Sequence, residues 1–206
     1  MRKNLLKQLI LALLITVAVP TLTAQVHVGD ILCEGNAIVS PANYPSSGAT
    51  AIGVVFYVDN TGQHGWAVAL QDAGSYTPGT AVYSLPSYGN NIRQAIYDLD
   101  GYENTRIVRL HSEDHPAFYA VDFEHGWYVP AFGQLNYLYG NLIEVDASLK
   151  AIGGTPFGMG NWEYWSSTKW YTSGSSSFWL WTMKSSGYRD YWGDGHNCLV
   201  RAVRNF

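Results

Sequence analysis

The chain predicts an α+β fold, with antiparallel strands at both ends flanking two or three helices and long irregular loops between them. Three observations carry this. A β-branched and aromatic run, Ala51 to Val58, is followed by turn residues and a return run. The middle, from Asn104 to Ile152, holds Pro- and Gly-delimited stretches with apolar residues at helical spacing. From Asn161 to Phe206 the chain crowds Trp162, Trp165, Trp170, Trp179, Trp181 and Trp192 into short extended segments. Strands, then helices, then strands is the order of an α+β domain, not of alternating βαβ units.

The first run, Ala51-Ile52-Gly53-Val54-Val55-Phe56-Tyr57-Val58, reads as a strand. Asp59-Asn60-Thr61-Gly62 is turn chemistry, and Trp66-Ala67-Val68-Ala69-Leu70 returns as the second arm of a hairpin. Residues 71–91, rich in Gly, Pro, Ser and Tyr, read as an irregular loop. Asn104 or Thr105 is placed to cap a helix carrying Ile107, Val108 and Leu110. Pro116 disfavours helix at His115, so Phe118, Tyr119, Val121 and Phe123 form a separate piece. Trp127-Tyr128-Val129-Pro130 leads into a helix with Leu135, Leu138 and Tyr139. A further helix holds Ile143, Val145, Leu149 and Ile152 and stops at Gly153-Gly154.

The end returns to strands at Tyr164–Thr168, Phe178–Met183, Tyr188–Trp192 and a terminal segment up to Phe206. The Phe178–Met183 strand puts Phe178, Leu180 and Thr182 on one face and Trp179, Trp181 and Met183 on the other. With both faces apolar, it is either covered on both sides or presents an aromatic face to a ligand.

Residues 1–24 read as a secretory signal peptide. Arg2, Lys3 and Lys7 form a basic start, Leu9 to Val19 an apolar run, and Thr21-Leu22-Thr23-Ala24 a small-residue cleavage region. The apolar run is shorter than the ~20 residues of a spanning helix. Residues 25–206 then form a single domain, secreted or held at the cell surface. Without the signal, nine Lys and Arg stand against sixteen Asp and Glu, a net charge of −7 with histidine neutral. That balance argues against nucleic acid as a partner, since phosphates call for clustered bases. Cys33 and Cys198, an even pair in an exported chain, are a disulfide candidate, with two buried free thiols as the alternative.

Three pieces carry a family resemblance. They are Gly53–Val58 leading to His64-Gly65-Trp66-Ala67-Val68; Trp127-Tyr128-Val129-Pro130 before the helix with Leu135-Asn136; and Tyr164-Trp165-Ser166-Ser167-Thr168 with the terminal Val200-Arg201-Ala202-Val203-Arg204. Together they resemble the bacterial C-type-lectin-like domain found at the C-terminus of collagen-like adhesins, a distant relative of the formylglycine-generating enzymes. The resemblance implies first and last strands lying close together, a setting in which a Cys33–Cys198 bridge is sensible. It also implies a Pro-Ser-x-x-Glu helix start where this chain has Pro130-Ala131-Phe132-Gly133-Gln134. Ala131 has no capping oxygen, so Gln134 supplies only half of a capping box. The sugar-coordinating Glu-Pro-Asn or Gln-Pro-Asp tripeptides of calcium lectins are absent from the sequence.

Several constellations bear on chemistry. His111-Ser112-Glu113-Asp114-His115 has the i, i+4 histidine spacing of a zinc helix, but Pro116 breaks the helix there, and a polar corner between helices is the simpler reading. Asp190, Asp194 and Glu163 offer oxygen ligands for calcium, but turn formation and pairing with Arg189, Arg201 or Arg204 is the simpler reading. No Gly-x-Ser-x-Gly elbow, Cys–His signature or phosphate loop appears, and Cys198 lacks the partner cysteine of the formylglycine-generating enzymes. The expectation is a protein that is not an enzyme and needs no cofactor. Trp127, Trp165 and Trp179, flanked by apolar residues, are expected in the core. Trp162, Trp170, Tyr171, Tyr188 and Trp192, beside Gly, Ser, Asn and Lys, are the candidate ligand-binding residues. The expected role is adhesion to a glycan or surface protein; the alternative is a structural or accessory subunit of a surface filament or outer-membrane assembly, with an enzyme derived from the formylglycine-generating relatives ranking third.

Overall fold

The computed structural model describes residues 25–79, 85–86, 91–111, 113–157, 163–170, 180–184, 186–187, 189–193 and 195–206. The signal-peptide reading of residues 1–24 therefore lies outside the described residues. In chain order the elements are β1 (Ile31–Cys33), β2 (Ile38–Val39), α1 (Tyr44–Ser47), β3 (Ala51–Val58), β4 (Gly65–Ala69) and β5 (Gly74–Tyr76). Then come α2 (Ile92–Ala95), α3 (Gly101–His111), α4 (Pro116–Tyr119), α5 (Phe132–Gly140) and α6 (Leu142–Ala151). The chain ends with β6 (Glu163–Lys169), β7 (Leu180–Lys184), β8 (Arg189–Trp192), β9 (Cys198–Val200) and β10 (Val203–Asn205). This is the expected α+β order, with six α-helices among the described residues where two or three were expected. Among the described residues, no helix is long and apolar enough to cross a membrane.

The strands form two five-stranded sheets, ordered β10-β4-β3-β1-β2 and β5-β9-β6-β7-β8. Every named pairing is antiparallel except β6 with β9, which run parallel. The β3–β4 hairpin matches the sequence reading, and its turn is built by Asp59. Its Oδ1 accepts from the Thr61 amide at 3.0 Å, the Thr61 hydroxyl at 2.6 Å and the Gly62 amide at 3.1 Å. The Thr61 hydroxyl bond, above all, holds that carboxyl below its ordinary pKa. Two short strands, β1 and β2, precede the hairpin, and β5 lies in the segment expected to be loop. Its Gly74-Ser75-Tyr76 sequence carries no strand signal and is extended because it pairs with β9.

The middle is divided as the proline requires: α3 stops at His111, and α4 starts at Pro116, the position that lacks an N–H to satisfy. The expected cap at Asn104 or Thr105 is not realised. Helix α3 begins earlier, at Gly101, and both residues lie buried inside it with their polar atoms spent across the fold. The first residue of the helix is glycine because a Cβ there would meet Ala131 N at 2.6 Å and Val129 O at 2.8 Å. Helix α6 ends as read, with Gly153 at φ +77° and the Gly154 amide donating to Leu149 O at 2.8 Å.

The second sheet is covered on both faces. Tyr164, Trp181 and Met183 join one core with Val54, Phe56 and Val68 of the first sheet and Leu135, Leu138, Val145 and Leu149 of α5 and α6. Trp165, Leu180, Cys198 and Val200 join the other with Val108 of α3 and Ala117 and Phe118 of α4. This explains why β7 is apolar on alternate faces: both sides are packed. Trp165 is fully buried, as expected, and its indole Nε1 donates to Tyr76 O at 2.7 Å. Trp127 is partly buried against the second core, while Phe178 and Trp179 lie outside the described residues.

The anticipated Cys33–Cys198 disulfide is corrected by the structure, in which both are free, buried thiols. Cys33 ends β1 in the first sheet, whereas Cys198 opens β9 in the second, packed in the core of Trp165 and Val200. The first and last strands do share a sheet, but β3 and β4 stand between β1 and β10. The thiol near the chain's end is on β9, not β10.

Candidate functional site

The Trp165-Ser166-Ser167-Thr168 strand is a polar seam as well as a core element. Ser166 Oγ donates to Trp181 O at 2.6 Å, and the Ser167 amide donates to Pro130 O at 2.8 Å. Thr168 Oγ1 accepts from the Phe132 amide at 2.7 Å and donates to Asp98 Oδ2 at 2.7 Å. Asp98 Oδ2 also accepts from Asn104 Nδ2 at 2.9 Å. The seam repairs the weak start of α5. Ala131 cannot cap; Gln134 Oε1 takes the Ala131 amide at 2.9 Å, and Thr168 takes the next one. Gln134 Nε2 then donates to Tyr128 Oη at 3.0 Å, which donates to Asn205 Oδ1 at 2.6 Å, joining α5 to β10. Burial raises the Asp98 pKa, although its hydrogen bonds act in the opposite sense.

Arg201 sits where the chain leaves the second sheet for the first. Its guanidinium is buried, pairs through Nε with Asp72 Oδ1 at 2.5 Å and donates from Nη1 to Ala69 O and Thr155 O at 3.1 and 3.0 Å. Arg204 is a surface contact to Asn36 Oδ1, and Arg189 reaches Asn136 Oδ1. Among the described residues, none of these arginines pairs with Asp190 or Glu163; each is engaged elsewhere. Asp194 lies outside the described residues, and Asp190 Oδ1 accepts from the adjacent Tyr191 amide.

Of the expected ligand-binding residues, Trp162, Tyr171 and Tyr188 lie outside the described residues. Trp170 is half-buried against the first core and stacks on Tyr191 of β8, centroids 4.1 Å apart and planes at 8°. Trp192 stacks on His196 at 4.1 Å and 9°, and its Nε1 donates to Glu163 Oε1 at 2.9 Å. Each of the two rings is therefore partly exposed and tied to a neighbour.

The Trp192 end of the second sheet gathers groups far apart in sequence. Tyr164 and Leu199 are partners in the parallel β6–β9 register, so Glu163 and Cys198, one residue earlier on each strand, lie side by side. The turn after β8 brings His196 over them, its Nε2 3.7 Å from Glu163 Oε2. Among the described residues, Glu163, His196 and Cys198 each offer a donor atom, all within 4.8 Å of one another. Burial, reinforced by the Glu163 charge, pushes the Cys198 thiol well above its ordinary pKa. Sequence reasoning groups Glu163 with Asp190 and Asp194 and misses His196. The signal that links Glu163 to Cys198 is a strand register, which spacing alone does not disclose.

The His111–His115 pair does not share one helix. His111 ends α3, while His115 is buried past the break with Nδ1 3.3 Å from Pro78 O, and burial lowers its pKa. A second aromatic group escapes sequence reasoning: Tyr57, Trp66 and Tyr137, with Tyr57 stacked on Trp66 at 4.3 Å. These residues come from β3, β4 and α5, so no local run announces them.

Among solved structures, a fimbrial protein from Bacteroides ovatus ATCC 8483 is similar in fold. The match has a TM-score of 0.64 at 15% sequence identity and covers 88% of this chain and 49% of that one. The chain thus spans about half the length of that protein. No protein-family model matches the sequence, and no curated protein matches it.

Proposed function

We propose that this chain is an exported, non-catalytic structural or accessory subunit of a surface filament or outer-membrane assembly, built on a C-type-lectin-like domain. The observation that carries the reading is the fold similarity to a fimbrial protein, extending over 88% of the chain. The use made of the polar groups supports it: Asp98, Thr168, Gln134 and Arg201 are buried and committed to joining elements of the fold. An assembly subunit must hold its shape under load, and buried hydrogen-bond networks of this kind rigidify a domain.

The test is surface fractionation of the encoding bacterium carrying an epitope-tagged chain, with cross-linking before shear. The expected result is tagged protein in the sheared surface fraction, cross-linked to partners of higher mass. Recovery only as an uncrosslinked monomer, in the medium or inside the cell, refutes the reading.

A second reading, adhesion to a glycan or surface protein, is favoured by the Trp170–Tyr191 stack, because Tyr191 is 38% exposed and presents a ring at the surface. Glycan-array binding that falls in Trp170→Ala and Trp192→Ala supports it. Binding unchanged in both variants removes these rings from the site.

A further inference from the structure

We propose that Glu163, His196 and Cys198 form a three-ligand site for a zinc-class divalent transition-metal ion. The site is assembled by the fold. Parallel pairing of β6 with β9 sets the carboxylate beside the sulfur, and the turn after β8 supplies the imidazole. The donor set is one oxygen, one nitrogen and one sulfur, which suits zinc and disfavours calcium or magnesium.

The neighbours fix the ligands as an outer shell does. Thr182 Oγ1 and Trp192 Nε1 both donate to Glu163 Oε1, at 3.0 and 2.9 Å, leaving Oε2 as the oxygen that faces His196. The His196 ring is held flat against Trp192. Hydrogen bonds that orient a ligating carboxylate in this way are typical of metal sites.

The spacing is close to that required. Tetrahedral coordination with bonds of about 2.0–2.3 Å sets ligand atoms roughly 3.3–3.6 Å apart. Glu163 and His196 stand at 3.7 Å, and all three donors within 4.8 Å. Closure therefore asks for a shift of roughly 1.5 Å at most, set against those bond lengths. It falls most easily on His196, which lies in a turn with a side chain 39% exposed against 12% for Glu163.

That exposure also gives the ion its entry path and leaves the fourth position to water. A nucleophilic role for the same three residues fits less well, since Cys198 is only 2% exposed. On binding, the Cys198 S–H bond breaks, its proton leaves to solvent, and the thiolate forms the S–metal bond.

The test is titration of the chelator-stripped full chain with Co²⁺, followed by displacement with Zn²⁺. The expected result is one equivalent bound, with a thiolate-to-cobalt charge-transfer band that Zn²⁺ abolishes. Cys198→Ser should lose the band, Cys33→Ser should keep it, and His196→Ala and Glu163→Gln should each weaken binding at least about tenfold. His196→Ala, altering a partly exposed turn residue, serves as the variant that retains the fold, checked by circular dichroism. Absence of the band in the wild-type protein overturns the proposal, as does a band of unchanged affinity in His196→Ala.

Discussion

Thr168→Val is the sharpest test of how this fold is held together. The two side chains have nearly the same shape, so the substitution removes a hydroxyl and leaves the packing alone. Thr168 is fully buried, and its oxygen serves two partners that have no solvent to turn to. One is the Phe132 amide, a free donor at the start of α5; the other is the Asp98 carboxyl, itself only 2% exposed. Stranding a buried polar group costs about 1–3 kcal/mol, with bonds to charged groups at the upper end. The two losses together come to about 3–5 kcal/mol, a large share of the roughly 5–15 kcal/mol that holds a domain folded. With a urea m-value of about 2 kcal/mol/M, the unfolding midpoint should fall by ~1.5–2.5 M, read by tryptophan fluorescence. Thr168→Ser keeps the hydroxyl and sacrifices one methyl, for about 1 kcal/mol. If the valine variant is no less stable than the serine variant, the hydroxyl does not carry the start of α5 and Thr168 matters only for its packing.

Two further predictions concern the buried thiols and the buried histidine, and a third the Asp98 carboxyl. The unreduced, denatured chain should titrate two thiols with a disulfide-exchange reagent, while the native protein at neutral pH reacts at neither, since both Cys33 and Cys198 are buried. Recovery of no thiol after denaturation would reinstate the bridge. Burial depresses the His115 pKa below the ordinary histidine value of 6.5, against the smaller opposing pull of the Pro78 carbonyl and the Asp114 charge. The unfolded chain then takes up the proton first, so the contribution of His115 is present above pH 6.5 and is lost as pH falls through the folded value. Urea unfolding between about pH 7.5 and 5.5, a window that brackets the ordinary histidine value, should show stability declining with acidity. His115→Asn should flatten that slope; equal slopes would sink the assignment. Asp98 acts in the opposite sense at lower pH. Its raised pKa stabilises the fold below the ordinary aspartate value of 3.8, an advantage lost as pH rises through the folded value. Asp98→Asn should remove that dependence from acid unfolding curves, and an unchanged curve would assign it to other carboxyls.

Local chemistry makes much of the fold legible. The β3–β4 hairpin is written in its own residues, because a Val-, Ile- and Phe-rich run and an Asp-Asn-Thr-Gly turn need no distant partner to be recognised. The break at Pro116 and the stop at Gly153-Gly154 are equally local, one a missing N–H and the other a left-handed backbone. Strands β1, β2 and β5 are not legible. They are two or three residues long and extended only because a neighbouring strand offers a ladder. Asn104 and Thr105 mislead for a related reason. A polar residue at a helical boundary resembles a cap, and only the tertiary structure reveals that Asp98 and Val129 claim those side chains instead.

The aromatic end shows the same division at the level of the site. That Trp165 belongs in the core follows from its apolar setting, and its indole N–H finds a carbonyl as a buried tryptophan requires. Trp192 reads in sequence as a ring offered to a ligand, yet at the end of its strand it holds both a carboxylate and an imidazole in place. An aromatic residue beside Gly and Asp is ambiguous in sequence because the stacking partner, His196, carries no pattern of its own. What converts these side chains into a candidate centre of chemistry is the parallel β6–β9 register, fixed by packing on both faces of the second sheet. A slip of one residue would send Cys198 to the opposite face and separate it from Glu163. The site is therefore only as stable as the sheet's two cores, and substitutions in either core should disturb it without touching any of its ligands.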